Sequence, residues 1–248
     1  MSRIYGQITD ISENAVADFW SKKTAAEGLK AVLLGKTADN SEQMLRNAHE
    51  KELVRELIKK HFKADKKISV LDIGCGYGRW CENLREDFYL YCGIDGSKQF
   101  IDEAKAFFPE PSCSFHIFNL NDFAVGGGKR LLNQQFDLVV ITGVLMYLND
   151  EVTASLLKEL SALVKADGIF YIQESVSLTD ERLTLKDFYS EDLQTYYSAI
   201  YRKISEYEDM FKKSLADFAV DTKGLLLDDG DGARSETNAE YWCLKRKN

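Results

Sequence analysis

The largely apolar run Ile68-Ser69-Val70-Leu71 leads through Asp72 and Ile73 into Gly74-Cys75-Gly76-Tyr77-Gly78 and then into Arg79-Trp80. Three glycines at alternate positions after such a run read as a buried strand that ends in a turn. There the backbone must pass close to a ligand, and glycine is the residue that permits it. Trp80-Cys81-Glu82-Asn83-Leu84-Arg85 continues as a helix. Strand, glycine turn and helix in this order make the nucleotide-site geometry of doubly wound α/β sheets.

The spacing separates two kinds of ligand. A dinucleotide turn needs G-x-G-x-x-G, which brings a pyrophosphate to the helix N-terminus. Here it is G-x-G-x-G, with Asp72 two positions ahead of Gly74. A carboxylate at that place repels a pyrophosphate and suits a ligand that carries an ammonium. A second apolar strand, Phe88 to Ile94, ends at Asp95-Gly96-Ser97, and Asp95 lies 95 − 76 = 19 residues beyond Gly76. A strand-end carboxylate there accepts both hydroxyls of a ribose.

A third strand, Cys113 to Phe118, ends at Asn119-Leu120-Asn121-Asp122, and Phe136-Asp137-Leu138-Val139 opens a fourth that reaches Thr142. The stretch Val70 to Gly78 resembles motif I of the class I S-adenosylmethionine-dependent methyltransferases, [VI]-[LV]-D-[LIV]-G-C-G-x-G, and Phe136 to Val139 is similar to their motif IV. The resemblance covers residues 68 to 175. It implies a Rossmann-like α/β fold: a seven-stranded sheet in the order 3-2-1-4-5-7-6 with strand seven antiparallel, helices on both faces, and an N-terminal helical cap.

The resemblance also implies S-adenosylmethionine as the cofactor. Its contacts would be Asp72, Gly74, Cys75, Gly76 and Tyr77 in the turn, then Asp95, Gly96 and Ser97 at the second strand end. Asn119 and Leu120 would meet the adenine, with Asp122 as a competing candidate, while Thr142 and the lid residue Trp20 complete the set. The reaction is an in-line methyl transfer to an oxygen or nitrogen held about 3–3.5 Å away.

A net charge of −8 argues against a nucleic-acid partner, because phosphate contacts need a basic surface, and leaves a small molecule as the expected partner. The five cysteines lack C-x-x-C spacing and only three histidines are present, so neither disulfides nor a metal is expected. No apolar run is long enough to enter a membrane and no signal peptide is visible, which points to a cytoplasmic protein, monomeric or homodimeric.

Residues 1–65 read as a mostly helical cap and 66–248 as the catalytic domain. In the cap, Tyr5, Phe19 and Trp20 are candidate lid residues, and Asn40 with Gln43 starts a helix through His61. Its apolar face would carry Leu45, Ala48, Leu53, Val54, Leu57 and Ile58, leaving His49 and His61 at the surface. Gly126-Gly127-Gly128 lacks the phosphate-loop pattern and reads as a surface loop, and Asp228 to Gly232 as a solvated hairpin loop.

The chemistry of open α/β sheets sits at strand C-termini, which nominates Glu174 and then Tyr147 as a general base, with His116 behind them. An insertion at about 178–203 carries Arg182, Tyr189, Tyr197, Tyr201 and Arg202; with Gln173 these are candidate acceptor contacts. Tyrosine faces beside cations suit a sugar or phosphorylated sugar, although an amphipathic helix packing the tyrosines and exposing Arg202 reads equally well. Surface-polysaccharide and natural-product pathways use such acceptors. A nicotinamide-dependent oxidoreductase and a non-catalytic partner protein of the same fold are the alternatives; the first lacks its glycine spacing, and the second leaves intact Asp72 and Asp95 unexplained.

Overall fold

Alternation of short β-branched runs with amphipathic helices commits a chain to a mostly parallel sheet covered on both faces. The structure, a computed structural model, describes residues 2–33, 41–63, 66–191, 193–226 and 236–247. The N-terminal part holds β1 (Ser2–Tyr5), α1 (Glu13–Ser21), a 3-10 stretch (Ala25–Ala31) and the long α2 (Ser41–His61). Strands and helices then alternate through β2 (Ile68–Ile73), α3 (Arg79–Asn83), β3 (Phe88–Asp95), α4 (Lys98–Phe107) and β4 (Cys113–Ile117). The single turns α5 (Leu120–Asp122) and α6 (Gly128–Leu131) precede β5 (Phe136–Thr142), α7 (Asp150–Ser161) and β6 (Val164–Ser177). After β7 (Leu183–Ser190) and β8 (Thr195–Tyr201) come α8 (Ile204–Ser214), β9 (Phe218–Leu225) and β10 (Thr237–Arg246).

The main sheet runs β4-β3-β2-β5-β6-β10-β9. β2 pairs in parallel with β3 and β5, whereas β10 is antiparallel to both neighbours. With β1, β7 and β8, which lie outside this sheet, left out of the numbering, this is the expected order 3-2-1-4-5-7-6 with its seventh strand reversed. Every residue of β2 is buried, as a strand covered on both faces requires. One face packs Leu71, Ile73, Val139 and Ile141 against α7 and α8. The other packs Val70, Leu138 and Val140 against Val54, Leu57 and Ile58 of α2, with Trp80 and Ile101 beside them.

Besides its helices the N-terminal part contributes a strand: β1 pairs antiparallel with β7, which pairs with β8, so a second, three-stranded sheet β1-β7-β8 forms. Two expectations about later segments are corrected. Among its described residues, segment 178–203 holds a strand pair and no helix. Alternating Leu183, Leu185, Tyr197, Ala199 and Tyr201 bury themselves there with Phe19 and Met146. Gly127 and Gly128 belong to helical turns, where a Cβ would fall 2.7 Å from Phe118 Cζ and 2.2 Å from Phe123 Cε1 respectively.

The inner face of α2 also differs from the expected one. Leu45 is exposed, while Gln43 and Glu50 are buried, so the first half of the helix turns polar groups inward. His61 is not a surface group, since its side chain is 5% exposed. Asn40 and the 228–232 hairpin lie outside the described residues. Among the described residues no helix is long and apolar enough to cross a membrane.

Asp137 ties three strands together at the start of β5. Its Oδ2 accepts from Ser69 N and Ser69 Oγ on β2, both at 2.8 Å, and from Lys165 Nζ on β6 at 2.7 Å; Lys66 Nζ reaches Oδ1 at 2.9 Å. Burial alone would raise this carboxyl, but the donors from Lys165, Ser69 and Lys66 outweigh it and hold the group well below its ordinary value of 3.8. A depressed acid contributes stability that is present above the unfolded value and lost as the pH falls below it. Asp137→Asn should therefore cost roughly 2 kcal/mol at neutral pH. The gap to wild type should begin to narrow below about pH 4 in urea melts and keep narrowing as the pH falls further, and an equal gap at all pH values would contradict this account.

Candidate active site

The C-terminal ends of β2, β3 and β5 open onto a cavity of about 450 Å³. Its floor is the glycine turn. Gly74 and Gly76 have φ of +73° and +54°, and a Cβ on them would fall 2.3 Å from Val144 and 2.8 Å from Val32, so neither position accepts a side chain. Asp95 closes the turn from β3: its Oδ2 accepts from Gly76 N at 2.9 Å and its Oδ1 from Ser97 N at 2.8 Å. The carboxylate lines the cavity.

A cationic and aromatic wall stands behind the turn. Arg79, the first residue of α3, lines the cavity and is held by α2 through Glu50 Oε2 at 2.8 Å and Asn47 Oδ1 at 3.0 Å. Its Nη2 also donates to Thr142 Oγ1, which takes the Trp80 indole N–H as well, both at 3.1 Å. The opposite wall is α1, whose Glu13, Val16, Ala17 and Trp20 face the cavity. Asn149 pins the start of this helix by accepting from Ile11 N and donating to Ile11 O. The Trp20 ring stands edge-on to Tyr147, with centroids 5.2 Å apart.

Loop 143–148 carries Tyr147 to this wall, and buried charges brace it from both sides. Glu174 on β6 accepts from the N–H groups of Val144, Leu145 and Met146 at 2.9, 2.8 and 3.2 Å. Burial raises this carboxyl to about 7 against the pull of those donors and of Arg202. Arg202 donates to the carbonyls of Leu145 and Leu148 and to Asp150 Oδ1. Arg182 grips the other oxygen of Asp150 at 2.7 Å and Glu206 at 3.1 Å.

Of the residues nominated for the cofactor, Gly74, Cys75, Gly76, Asp95, Gly96, Ser97, Asn119, Leu120, Thr142 and Trp20 all line the one cavity. Asn119 is partly committed, because its Oδ1 accepts from Asn121 N and its Nδ2 donates to Glu13. Asp72 and Tyr77 are not in the wall. Asp72 is buried beneath the turn with the Tyr91 hydroxyl donating to it, and burial lifts it to about 7; Tyr77 packs on Phe100. Arg79, Glu13 and Val16 are cavity residues that motif reading missed. Arg79 had a signal, a cation directly after the last glycine.

The acceptor and base nominations need larger corrections. Glu174 cannot serve as a base because its oxygens are sealed under the loop. Arg202 and Arg182, 0% and 4% exposed, are spent on Asp150 and Glu206. Gln173 is buried and accepts from Arg46 at 3.2 Å, and Tyr189 stands away from the cavity against Tyr196. Tyr197 and Tyr201 are buried behind the wall in a hydroxyl chain, Tyr147 to Tyr197 at 3.0 Å and Tyr197 to Tyr201 at 3.3 Å. His116 lies on β4 outside the cavity wall. Tyr147 alone of these nominees reaches it.

The methyltransferase-domain family model matches residues 45–214. This chain belongs to that family, and its sheet order and glycine turn are those of class I, whose cofactor is S-adenosylmethionine. Among solved structures, a SAM-dependent methyltransferase from Leishmania major is similar at 17% identity and a TM-score of 0.69, over 94% of this chain and 82% of that one. Phosphoethanolamine N-methyltransferase 1 of Haemonchus contortus, with phosphoethanolamine and S-adenosylhomocysteine, gives 20%, 0.67, 94% and 48%. Magnesium protoporphyrin IX methyltransferase of Synechocystis, with S-adenosylmethionine, gives 15%, 0.60, 96% and 100%. No curated protein matches the sequence.

Removing one member of a buried ion pair leaves the other charge uncompensated. Arg202→Ala should cost about 3–5 kcal/mol in urea unfolding, and Arg202→Lys should recover only part, because an ammonium cannot span Asp150 and two carbonyls at once. A loss of a few tenths of a kcal/mol, the expectation for a solvated surface arginine, would contradict the brace.

Proposed function

We propose that this chain transfers the methyl group of S-adenosylmethionine to an oxygen or nitrogen of a small polar acceptor that enters beside Trp20 and Tyr147. The observation that carries the reading is the convergence of the glycine turn, Asp95, Asn119-Leu120 and Tyr147 on one cavity. The cavity fits the cofactor in kind. Asp95 presents a carboxylate to the ribose hydroxyls, Leu120 and Phe100 offer apolar faces to the adenine, and Arg79 offers a guanidinium to the carboxylate. When bound, the cofactor supplies a methyl group on a sulfonium that leaves readily.

The protein's own part is positioning. Trp20 and Tyr147 set two ring faces at right angles where the acceptor would lie, and the Tyr147 hydroxyl, steered by Tyr197, orients its polar atom. A hydroxyl acceptor must lose a proton; Tyr147 is the group in reach to accept its hydrogen bond, and the proton leaves to solvent. A sugar keeps the two rings as stacking faces. A phosphorylated acceptor loses its main support, since both arginines nominated for the phosphate are spent elsewhere.

Calorimetry should show S-adenosylhomocysteine binding and no binding of NADH, and the reverse would restore the oxidoreductase. Asp95→Ala should weaken S-adenosylhomocysteine by ~1.5–3 kcal/mol in a folded protein; an unchanged affinity would remove Asp95 from the site. Tyr147→Phe should lower kcat by roughly tenfold or more while leaving S-adenosylhomocysteine affinity intact. Unaltered kcat on every acceptor that is turned over would rule out its role.

A further inference from the structure

Away from the cavity, the last turn of α2 meets the edge strands of the main sheet, and three groups able to ligate a metal converge there. His61 Nε2 lies 3.1 Å from Asp221 Oδ2 and 3.8 Å from Cys243 Sγ, and one ligand atom from each residue falls within 4.8 Å of the others. A tetrahedral zinc ion with ordinary bond lengths would set its nitrogen about 3.3 Å from a carboxylate oxygen and about 3.6 Å from a thiolate sulfur. The two separations from His61 lie within about 0.2 Å of that pattern, and the carboxylate and the sulfur stand within 4.8 Å of each other.

A local irregularity of the sheet brings Asp221 there. The pairing of β10 with β9 runs Cys243 to Thr222 and then Leu244 to Val220, so Asp221 is the extra residue of a β-bulge. In a regular ladder it would point to the opposite face from Cys243; the bulge re-aims it toward His61. His61 and Cys243 are nearly solvent-free, with side-chain exposure of 5% and residue exposure of 0%. The carboxylate already holds a cation: Lys60 Nζ sits 2.7 Å from Asp221 Oδ2, on a side chain that is 53% exposed and free to swing into water.

We propose that His61, Asp221 and Cys243 form a binding site for a divalent ion of the zinc class, with water as the fourth ligand and the Lys60 ammonium displaced. One imidazole nitrogen, one thiolate and one carboxylate select such a borderline-soft ion over magnesium or calcium. On binding, the Cys243 thiol gives up its proton to solvent, and His61 turns its Nε2 lone pair to the ion with its proton on Nδ1. The ion would clamp the end of α2 to the sheet edge. Because the same helix holds Arg79 through Glu50 and Asn47, the clamp also steadies the wall of the cavity.

Cobalt(II) titration of the full chain, with and without S-adenosylhomocysteine, tests this. One equivalent should raise a sulfur-to-cobalt charge-transfer band together with visible bands of tetrahedral intensity, and unfolding of the loaded protein should shift to higher temperature. Cys243→Ser should abolish the charge-transfer band. Asp221→Asn, a change at a half-exposed strand-edge residue, should keep the fold and lose roughly tenfold or more in affinity, while Lys60→Met should bind roughly fivefold tighter. Absence of the band in wild type, its persistence in Cys243→Ser, unchanged affinity in Asp221→Asn, or weaker binding in Lys60→Met would each overturn the site. Ligand binding at the methyl-transfer cavity is read separately and does not depend on these outcomes.

Discussion

The loop that forms one side of the active-site cavity is a stretch of peptide held between buried charges of opposite sign. Glu174 takes its amide hydrogens from one side and Arg202 takes its carbonyls from the other, each with negligible exposure. Desolvating these groups is expensive, and the geometry answers that cost by satisfying many hydrogen bonds at once. A loop of this kind has no slack. Tyr147 and the neighbouring Val144, against which Gly74 is pressed, therefore take their positions from β6 and from Arg202 just past β8 rather than from their own short segment.

The same economy explains how the two sheets cooperate. β7 and β8 sit beyond the end of β6 and carry Arg182 and Arg202 into the gap above α7, where Asp150 receives both. The aromatic side chains of β8 then become the backing of the cavity wall through Phe19, Tyr147 and Tyr197. The glycine turn, Asp95 and Thr142 hang on the main sheet, and Trp20 and Tyr147 lean on the small one.

This division also marks what could be read from the sequence. Gly74, Gly76 and Asp95 act through backbone conformation and a fixed separation along a strand-turn-strand unit, so their places were legible in local spacing. Arg202 was not, because its partners Asp150, Leu145 and Leu148 lie more than fifty positions away, and a cation beside tyrosines looks the same whether it faces water or a buried carboxylate. Glu174 lies inside β6, which continues past the expected strand end to Ser177, and its role was misread because a strand also supplies acceptors for an adjoining loop. The inward polar groups of α2 defeated the apolar-face pattern for a similar reason: Glu50 is buried by its bond to Arg79, and no periodicity records that. The β-bulge at Asp221 leaves no sequence signature at all.

The anchoring of the N-terminal segment has an entropic consequence. β1 is stitched to β7 at one end, and α2 is bolted to Arg79 at the other, so α1 is carried on a span whose two ends are already fixed. Most of the freedom lost in bringing that helix near the cavity is given up once, when the chain folds. A ligand arriving beneath α1 then meets a nearly assembled enclosure, and little of its binding energy is diverted into ordering the cover above it.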